Sequence, residues 1–398
     1  MSEATKSTSV LMISVGEHML ADRLSDARAR HIEYGTHVKT LIIIAYASYH
    51  NRTPLTWISN NVAVHPTHWG KWLFPLEALF LGFILIRRHK LNVITTQDPF
   101  VTGLIGLILK LVFGLKIEIQ NHSDFYSSKV FLKEKPLQYG LFYRLGMIVL
   151  RFGDFFRVLN EEEKEVYATL GVPRELIRVL PTPVNSERFL SFIPAKKISS
   201  LRRRFNAESL FVLIWVGRVT PAKDWPLLLK IASKAKADAL PLCIFMAGDG
   251  EESDELDRSI AKEMLESMIV RTGRVTHEDL PVYYQTADAY IHTSSYEGFG
   301  KTIVEAMLSG LPVVTSDTSG ARSIVLDGET GFIVKTREPE DFLAAVKLLA
   351  SDSQLRRKMG SMGRKHAQEH YDHNRSIAAI ADIWIKLSSN QQVTKTLA

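Results

Sequence analysis

Two glutamates, Glu297 and Glu305, flank a glycine-punctuated turn in the stretch SSYEGFGKTIVEAMLSG, residues 294–310. The preceding AYIHTSS has strand character and runs into the loop YEGFG, where Gly298 and Gly300, on either side of Phe299, allow close approach of backbone to a ligand. KTIVEAMLSG then begins a helix that GLP ends, with Lys301 and Thr302 in its first turn. Unpaired N–H groups and a partial positive charge at that point suit a phosphate. One turn further in, the Glu305 carboxylate suits the vicinal hydroxyls of a ribose, and Glu297 on the loop suits the hydroxyls of a second ring beyond the phosphate. The plainer reading is that both acids complement the helix dipole, worth about 0.3–1 kcal/mol each.

Two more strand ends carry residues of the same kind. In VLIWVGRVTPAKDWPLLLKI a buried strand ends at Gly217, and the loop that follows holds Arg218 and Lys223. Ligands of open α/β sheets bind outside the carboxyl ends of the strands, where two fixed cations neutralise a diphosphate; as solvated loop charges they would carry no meaning. In CIFMAGDGEES a strand runs into Gly248, Asp249 and Gly250, either a tight turn or a place where a flat base meets backbone. Three such strand ends in one half of the chain point to a nucleotide-diphosphate pocket.

The elements that must position these residues are legible as short β-branched runs alternating with amphipathic stretches, the pattern of parallel βα units. Candidate strands are VLMISV, VKTLIIIAY, LNVITT, KIEIQ and FFRVLN in the first half, and LFVLIWVG, LCIFMAG, MIVRTG, AYIHTS, PVVTS and GFIVK in the second. Residues 186–205 read as a basic linker leading into a short helix, and the chain ends in consecutive helices. At 398 residues, 46% apolar and 23% charged, the chain has the composition of two globular α/β domains. Its single cysteine, Cys243, excludes a disulfide framework and a cysteine-based metal site. The N-terminus has no basic start followed by a sustained apolar stretch, so no signal peptide is expected and the protein is placed in the cytoplasm. Of the formal net charge of +6, most lies in residues 1–189, where Lys and Arg outnumber Asp and Glu 22 to 17. That surplus is modest, and without zinc-finger spacing or an arginine-rich tract it does not indicate a nucleic-acid partner.

Taken together, SSYEGFGKTIVEAMLSGLPVVTS, VGRVTPAKDW, AGDGEE and TGRVTHEDLPVYYQTADAYIHTS resemble the retaining glycosyltransferases of family 4 across residues 210–345. The resemblance implies the GT-B fold: two Rossmann-like domains facing each other across a cleft. Residues 1–190 would form an acceptor-binding domain, 191–370 a nucleotide-sugar-binding domain, and 371–398 a C-terminal helix packing back on the first. It further implies that Glu297 contacts the donor sugar, Glu305 holds the ribose, and Arg218 and Lys223 grip the diphosphate. Backbone from Gly300 to Thr302 would add N–H donors, and Arg274 and Val275 would lie near the base. In this reading the nucleotide-sugar is the donor substrate and no cofactor is expected. The chain has no D-x-D triplet, the usual carboxylate handle for a diphosphate-bound metal, so no metal requirement is expected either.

The first half departs from the family pattern. Where relatives have a glycine-rich loop after the first strand, MISVGEHMLADRLSDARA offers only Gly16, and VLPTPVNSERF has Thr182-Pro183 in place of an Asn-Gly pair. His122, in KIEIQNHSDFY, falls at a strand end where relatives place a histidine near the donor sugar; a satisfied structural histidine is the alternative. Residues 73–90 and 100–116 are almost continuously apolar yet too interrupted by charge to span a membrane, and read as helices buried on the sheet. Alternatively, with six Lys and Arg against two acids in residues 71–116, they form a basic, apolar rim that rests on an anionic membrane. The expected activity is transfer of a sugar from a UDP- or GDP-sugar to a glycan or lipid-linked acceptor, with a small acceptor such as a sugar phosphate, or a non-catalytic nucleotide-sugar sensor, as alternatives.

Overall fold

The structure, a computed structural model, describes residues 7–16, 25–47, 55–126 and 136–389. It separates into two compact units, Met1–Pro183 with Asn374–Ala398, and Val184–His373.

The first unit is built on β1 (Ser9–Ser14), β2 (Thr40–Ala45), β3 (Thr56–Trp57), β4 (Val62–Pro66), β5 (Val93–Thr96), β6 (Lys116–Gln120), β7 (Phe155–Val158) and β8 (Ile177–Val179). They lie in the order β3-β4-β2-β1-β5-β6-β7-β8, parallel throughout except for the β3–β4 pair. Both faces of the sheet are covered, which is why runs such as LIIIA are apolar without alternation. Odd and even positions still face different partners. Leu11, Ile13, Ile42 and Ile44 pack on the helices Phe74–His89, Val101–Phe113 and Pro136–Phe152, whereas Val10, Met12, Leu41 and Ile43 pack on Tyr34 and the C-terminal helix, His373–Ser388. That helix is pinned by Trp384, whose Nε1 donates to the buried Glu118 carboxylate at 2.6 Å. Thr95 Oγ1 and Gln120 Nε2 also donate to it, at 2.7 and 3.1 Å. Burial raises the Glu118 pKa, opposed by the charge of Arg157.

Three strands were not foreseen. β4, VAVHP, is short and ends on a proline, and β3 and β8 have only two and three residues, so each gets its identity from its neighbours in the sheet.

The second unit holds β9 (Phe211–Val216), β10 (Leu242–Ala247), β11 (Ile269–Gly273), β12 (Ala289–His292), β13 (Val313–Ser316) and β14 (Gly331–Val334), all parallel, in the order β11-β10-β9-β12-β13-β14. All six were legible in the sequence. The order reverses between β9 and β12, the kind of switch point at whose carboxyl ends ligands of open α/β sheets bind. Residues 186–205, read as a linker leading into a short helix, carry an unforeseen helix of this unit, Ser186–Leu190, before the expected one, Ala195–Arg204. The second is docked by Arg202, which donates to Thr286 O at 3.0 Å and to Asp288 at 2.8 Å.

Candidate functional site

The loops after β9 and β12 meet at the switch point and are bonded to each other. Ser295 N donates to Ala222 O at 2.9 Å, and Thr293 Oγ1 to Lys223 O at 2.9 Å. Lys223 ends a single turn, Pro221–Lys223, and Asp224 follows in the left-handed region at φ 42°. This unfavourable conformation is held by two bonds of the Asp224 side chain: it caps the helix Trp225–Ala237 by accepting from Leu227 N at 3.2 Å, and it pairs with Arg337. Arg337 also donates to Thr293 O and Ser294 O, at 2.8 and 3.2 Å, so one guanidinium ties both loops together.

Within this frame Lys223 and Glu297 form a largely buried ion pair. His292, the last residue of β12, lies 3.4 Å from the same carboxylate oxygen through Nε2, which also meets Ser294 Oγ at 2.9 Å; its Nδ1 meets Thr315 Oγ1 at 3.1 Å. Burial by itself would raise the Glu297 pKa, but Lys223 and His292 outweigh it and hold the carboxyl well below the usual range. Burial lowers the pKa of His292 despite its bond to Glu297, so the ring is neutral at pH 7.

The helix Lys301–Leu308 starts without a side-chain cap, after Gly300 at φ 85°. Only glycine is at ease there, and a Cβ would also meet Ile303 Cδ1 at 2.9 Å. The loop before the helix is clamped from β13's side: Gly320 N and Ser319 Oγ donate to Glu297 O at 2.8 and 3.1 Å. Phe299 is buried against Tyr371. Glu305, on the second turn, is buried and accepts from Tyr284 OH at 3.0 Å through Oε2, while Lys301 Nζ lies 3.6 Å from Oε1. Thr302 accepts from Tyr290 OH at 2.7 Å.

The other candidate residues lie around this cluster or apart from it. Arg218, next along from Gly217, is exposed, with no ion pair or hydrogen bond among the described residues. Gly248 sits at φ 144°, and a Cβ there would stand 1.8 Å from Gly217 O, so the loops after β9 and β10 touch backbone to backbone. Arg274 and Val275 follow the edge strand β11 and line a groove of about 490 Å³ with Lys197, Arg204, Thr272 and Tyr283. Gly16 and His122 belong to the first unit. Gly16 N donates to Ser14 Oγ at 3.1 Å, and residues 17–24 of its loop lie outside the described residues. His122 donates from Nε2 to Gln120 Oε1 at 3.0 Å, an oxygen that also accepts from the buried Arg157. Among the described residues, no group of three or more His, Cys, Asp or Glu side chains is placed to hold a metal ion.

Sequence reasoning passed over His292, Tyr284 and Arg337. His292 was visible as the one histidine in an apolar strand, five positions before Glu297; Tyr284 and Arg337 left no such signal.

Residues 198–366 match the family model described as glycosyl transferases group 1, which places a domain of that family in the second unit. The chain is similar to D-inositol 3-phosphate glycosyltransferase of Geodermatophilus obscurus, 30% identical over 52% of this chain and 47% of that protein; the match spans about half of the relative's length. It is 24% identical to the UDP-Gal:alpha-D-GlcNAc-diphosphoundecaprenol alpha-1,3-galactosyltransferase of Escherichia coli, over 79% of this chain and 81% of the relative. Among solved structures, sucrose-phosphate synthase of Thermosynechococcus elongatus superposes with a TM-score of 0.82 at 19% identity, covering 96% of this chain and all of that one, a likeness of fold.

Proposed function

We propose that this protein is a retaining glycosyltransferase that moves a sugar from a UDP- or GDP-sugar to a glycan or lipid-linked acceptor. One observation carries the reading: Lys223 and Glu297, from loops after different strands, meet at the switch point of the second sheet, beside His292. A cation there faces a diphosphate and a carboxylate faces sugar hydroxyls. Before donor binds, each group neutralises the other.

In the proposed reaction the bond from the anomeric carbon to the diphosphate oxygen breaks through an oxocarbenium-like state, and negative charge builds on the leaving group. Lys223, the exposed Arg218 and the first N–H groups of the helix Lys301–Leu308 stabilise that charge. Glu297 orients the sugar, and the departing phosphate takes the proton of the acceptor hydroxyl, which attacks from the same face. The leaving group is served by fixed cations, so we expect turnover without a divalent metal; loss of turnover on adding EDTA overturns that part.

The relatives support either type of acceptor, because one is named for an inositol phosphate and the other for a diphosphoundecaprenol-linked sugar. The test is NMR-monitored hydrolysis of a panel of UDP-, GDP- and ADP-sugars, with Glu297→Ala as control. Consumption of one donor with release of the α-sugar from an α-linked donor, lost in the variant, supports retention. No turnover and no calorimetric nucleotide binding removes the catalytic reading in favour of a scaffold.

A further inference from the structure

Among the described residues, nineteen large hydrophobic side chains are exposed, and thirteen of them fall between residues 69 and 152. This concentration has a structural cause. The helices Phe74–His89, Val101–Phe113 and Pro136–Phe152 lie side by side over one face of the first sheet, with Gly82 against Leu109 and Gly103 against Val149 at their contacts. Each helix therefore has an inner apolar stripe that builds the core. Each also has an outer one, which an ordinary helix would fill with polar residues.

On the first helix and the turn before it the outer stripe is Trp72, Leu76, Phe80 and Ile84, spaced by four, with Trp72 93% exposed. On the second it is Ile108, Leu111 and Val112, and on the third Leu137, Leu141, Ile148 and Phe152. At the edge of the layer the apolar surface continues into a groove of about 650 Å³ lined by Ile148, Leu150, Phe152, Phe156 and Leu176 among others.

Asp154, just past the third helix, is paired with Lys110 and Lys116, and the exposed, unpaired charges of the layer are cations. Lys71, Arg87, Arg88, Lys90, Arg144 and Arg151 are exposed and have no carboxylate partner among the described residues. Arg144 stands within the outer stripe of its helix, and the Arg87 guanidinium lies 4.1 Å over the Phe83 ring, as snorkelling side chains do. The three helices contain a single acid, Glu77, which is buried and accepts from His68 N and Trp69 N. A second copy of the chain on this face would bring cations against cations. No helix among the described residues is long and apolar enough to cross a membrane.

We propose that the outer face of this three-helix layer docks on an anionic lipid bilayer, with the apolar stripes entering the headgroup and acyl boundary and the six cations contacting lipid phosphates. The inference goes beyond the sugar-transfer reading and does not depend on it, since it concerns a surface of the first unit in the absence of any donor. It also extends past the two stretches at 73–90 and 100–116 to a third helix, whose amphipathic partner stripe closes the layer.

The test is co-sedimentation of the full chain with vesicles of phosphatidylcholine alone and of phosphatidylcholine with about one third phosphatidylglycerol, together with tryptophan emission. Binding to the anionic vesicles, weakened by salt, and a blue shift that Trp72→Phe largely removes are expected. Each cation near an anionic surface contributes about fivefold, so Arg88→Glu with Arg144→Glu should weaken binding by about 25-fold or more. Leu76→Ser with Leu111→Ser should abolish the blue shift, while the circular dichroism spectrum and melting temperature of each variant stay those of the parent. Equal binding to both vesicle types, binding to neither, or binding unaffected by these substitutions overturns the proposal. Self-association that the leucine substitutions abolish also overturns it and assigns the face to a second copy. Donor hydrolysis is not read in any arm, so failure here leaves the transfer reading standing, and failure there leaves this one.

Discussion

Replacing Lys223 by alanine separates a role in chemistry from a role in folding, because the structure gives this residue both. In contact, at the effective dielectric of a protein near its surface, the pair attracts by roughly 4 kcal/mol or more, before the cost of desolvation. Removing one partner of a fully buried pair costs about 3–5 kcal/mol. Here the Lys223 and Glu297 side chains retain 22% and 21% of their exposure, so Lys223→Ala should cost about 2–3 kcal/mol. For a unit of this size that is a fall of roughly 4–12 °C in melting temperature, read by scanning calorimetry. Without Lys223 burial dominates at Glu297 and its pKa rises, so the cost should shrink as pH falls from about 7 toward about 4 and the carboxyl becomes neutral. The double variant Lys223→Ala with Glu297→Gln leaves no orphan charge and should regain most of the lost stability. Turnover should follow a different course, falling about 10²–10³ in Lys223→Ala and not recovering in the double variant. A loss under threefold in Lys223→Ala would refute the leaving-group role. Unchanged stability in that variant, or no recovery in the double one, would refute the pairing argument itself.

Three further outcomes are expected. His292→Asn, which shortens the side chain away from the Glu297 carboxylate, should lower turnover of donor by about tenfold with the fold intact, and an unchanged kcat would remove its positioning role. Gly248→Ala forces a Cβ into Gly217 O and a side chain into φ 144°, so it should destabilise the second unit by roughly 2–4 kcal/mol in chemical denaturation; a cost under about 0.5 kcal/mol would contradict the close approach of the two loops. His31 is buried with Nδ1 donating to Ala27 O at 2.6 Å, and burial pushes its pKa down to about 4. The unfolded chain, with an imidazole pKa near 6.5, binds more protons between these values, so this residue's contribution is full above about pH 6.5 and is lost as pH falls toward about 4. The difference in unfolding free energy between parent and His31→Asn should therefore change by about 3 kcal/mol over that range, and a pH-independent difference would refute the buried neutral ring.

The sequence alone determined a good deal, for a local reason. Strands of a parallel sheet covered on both faces are apolar runs closed by glycine or a polar loop, so all six strands of the second unit could be read from LFVLIWVG to GFIVK without knowing their neighbours. The chemistry-bearing loops follow such strands directly, which made Lys223, Glu297 and the start of the helix at Lys301 legible together with the family they resemble. Tertiary structure decided what depends on residues far apart in the chain. Only the placement of β9 beside β12 brings Lys223 onto the Glu297 carboxylate, which His292 meets from the end of β12 itself. Glu118 and Trp384 are 266 positions apart, and neither local pattern announces that the C-terminal helix returns to the first sheet. The short strands β3, β4 and β8 lack enough residues for a periodicity of their own. The apolar stretches at 73–90 and 100–116 show the remaining division most clearly: their helical, apolar nature is written in the sequence, but which of two apolar stripes faces the core depends on the sheet and helices packed beside them.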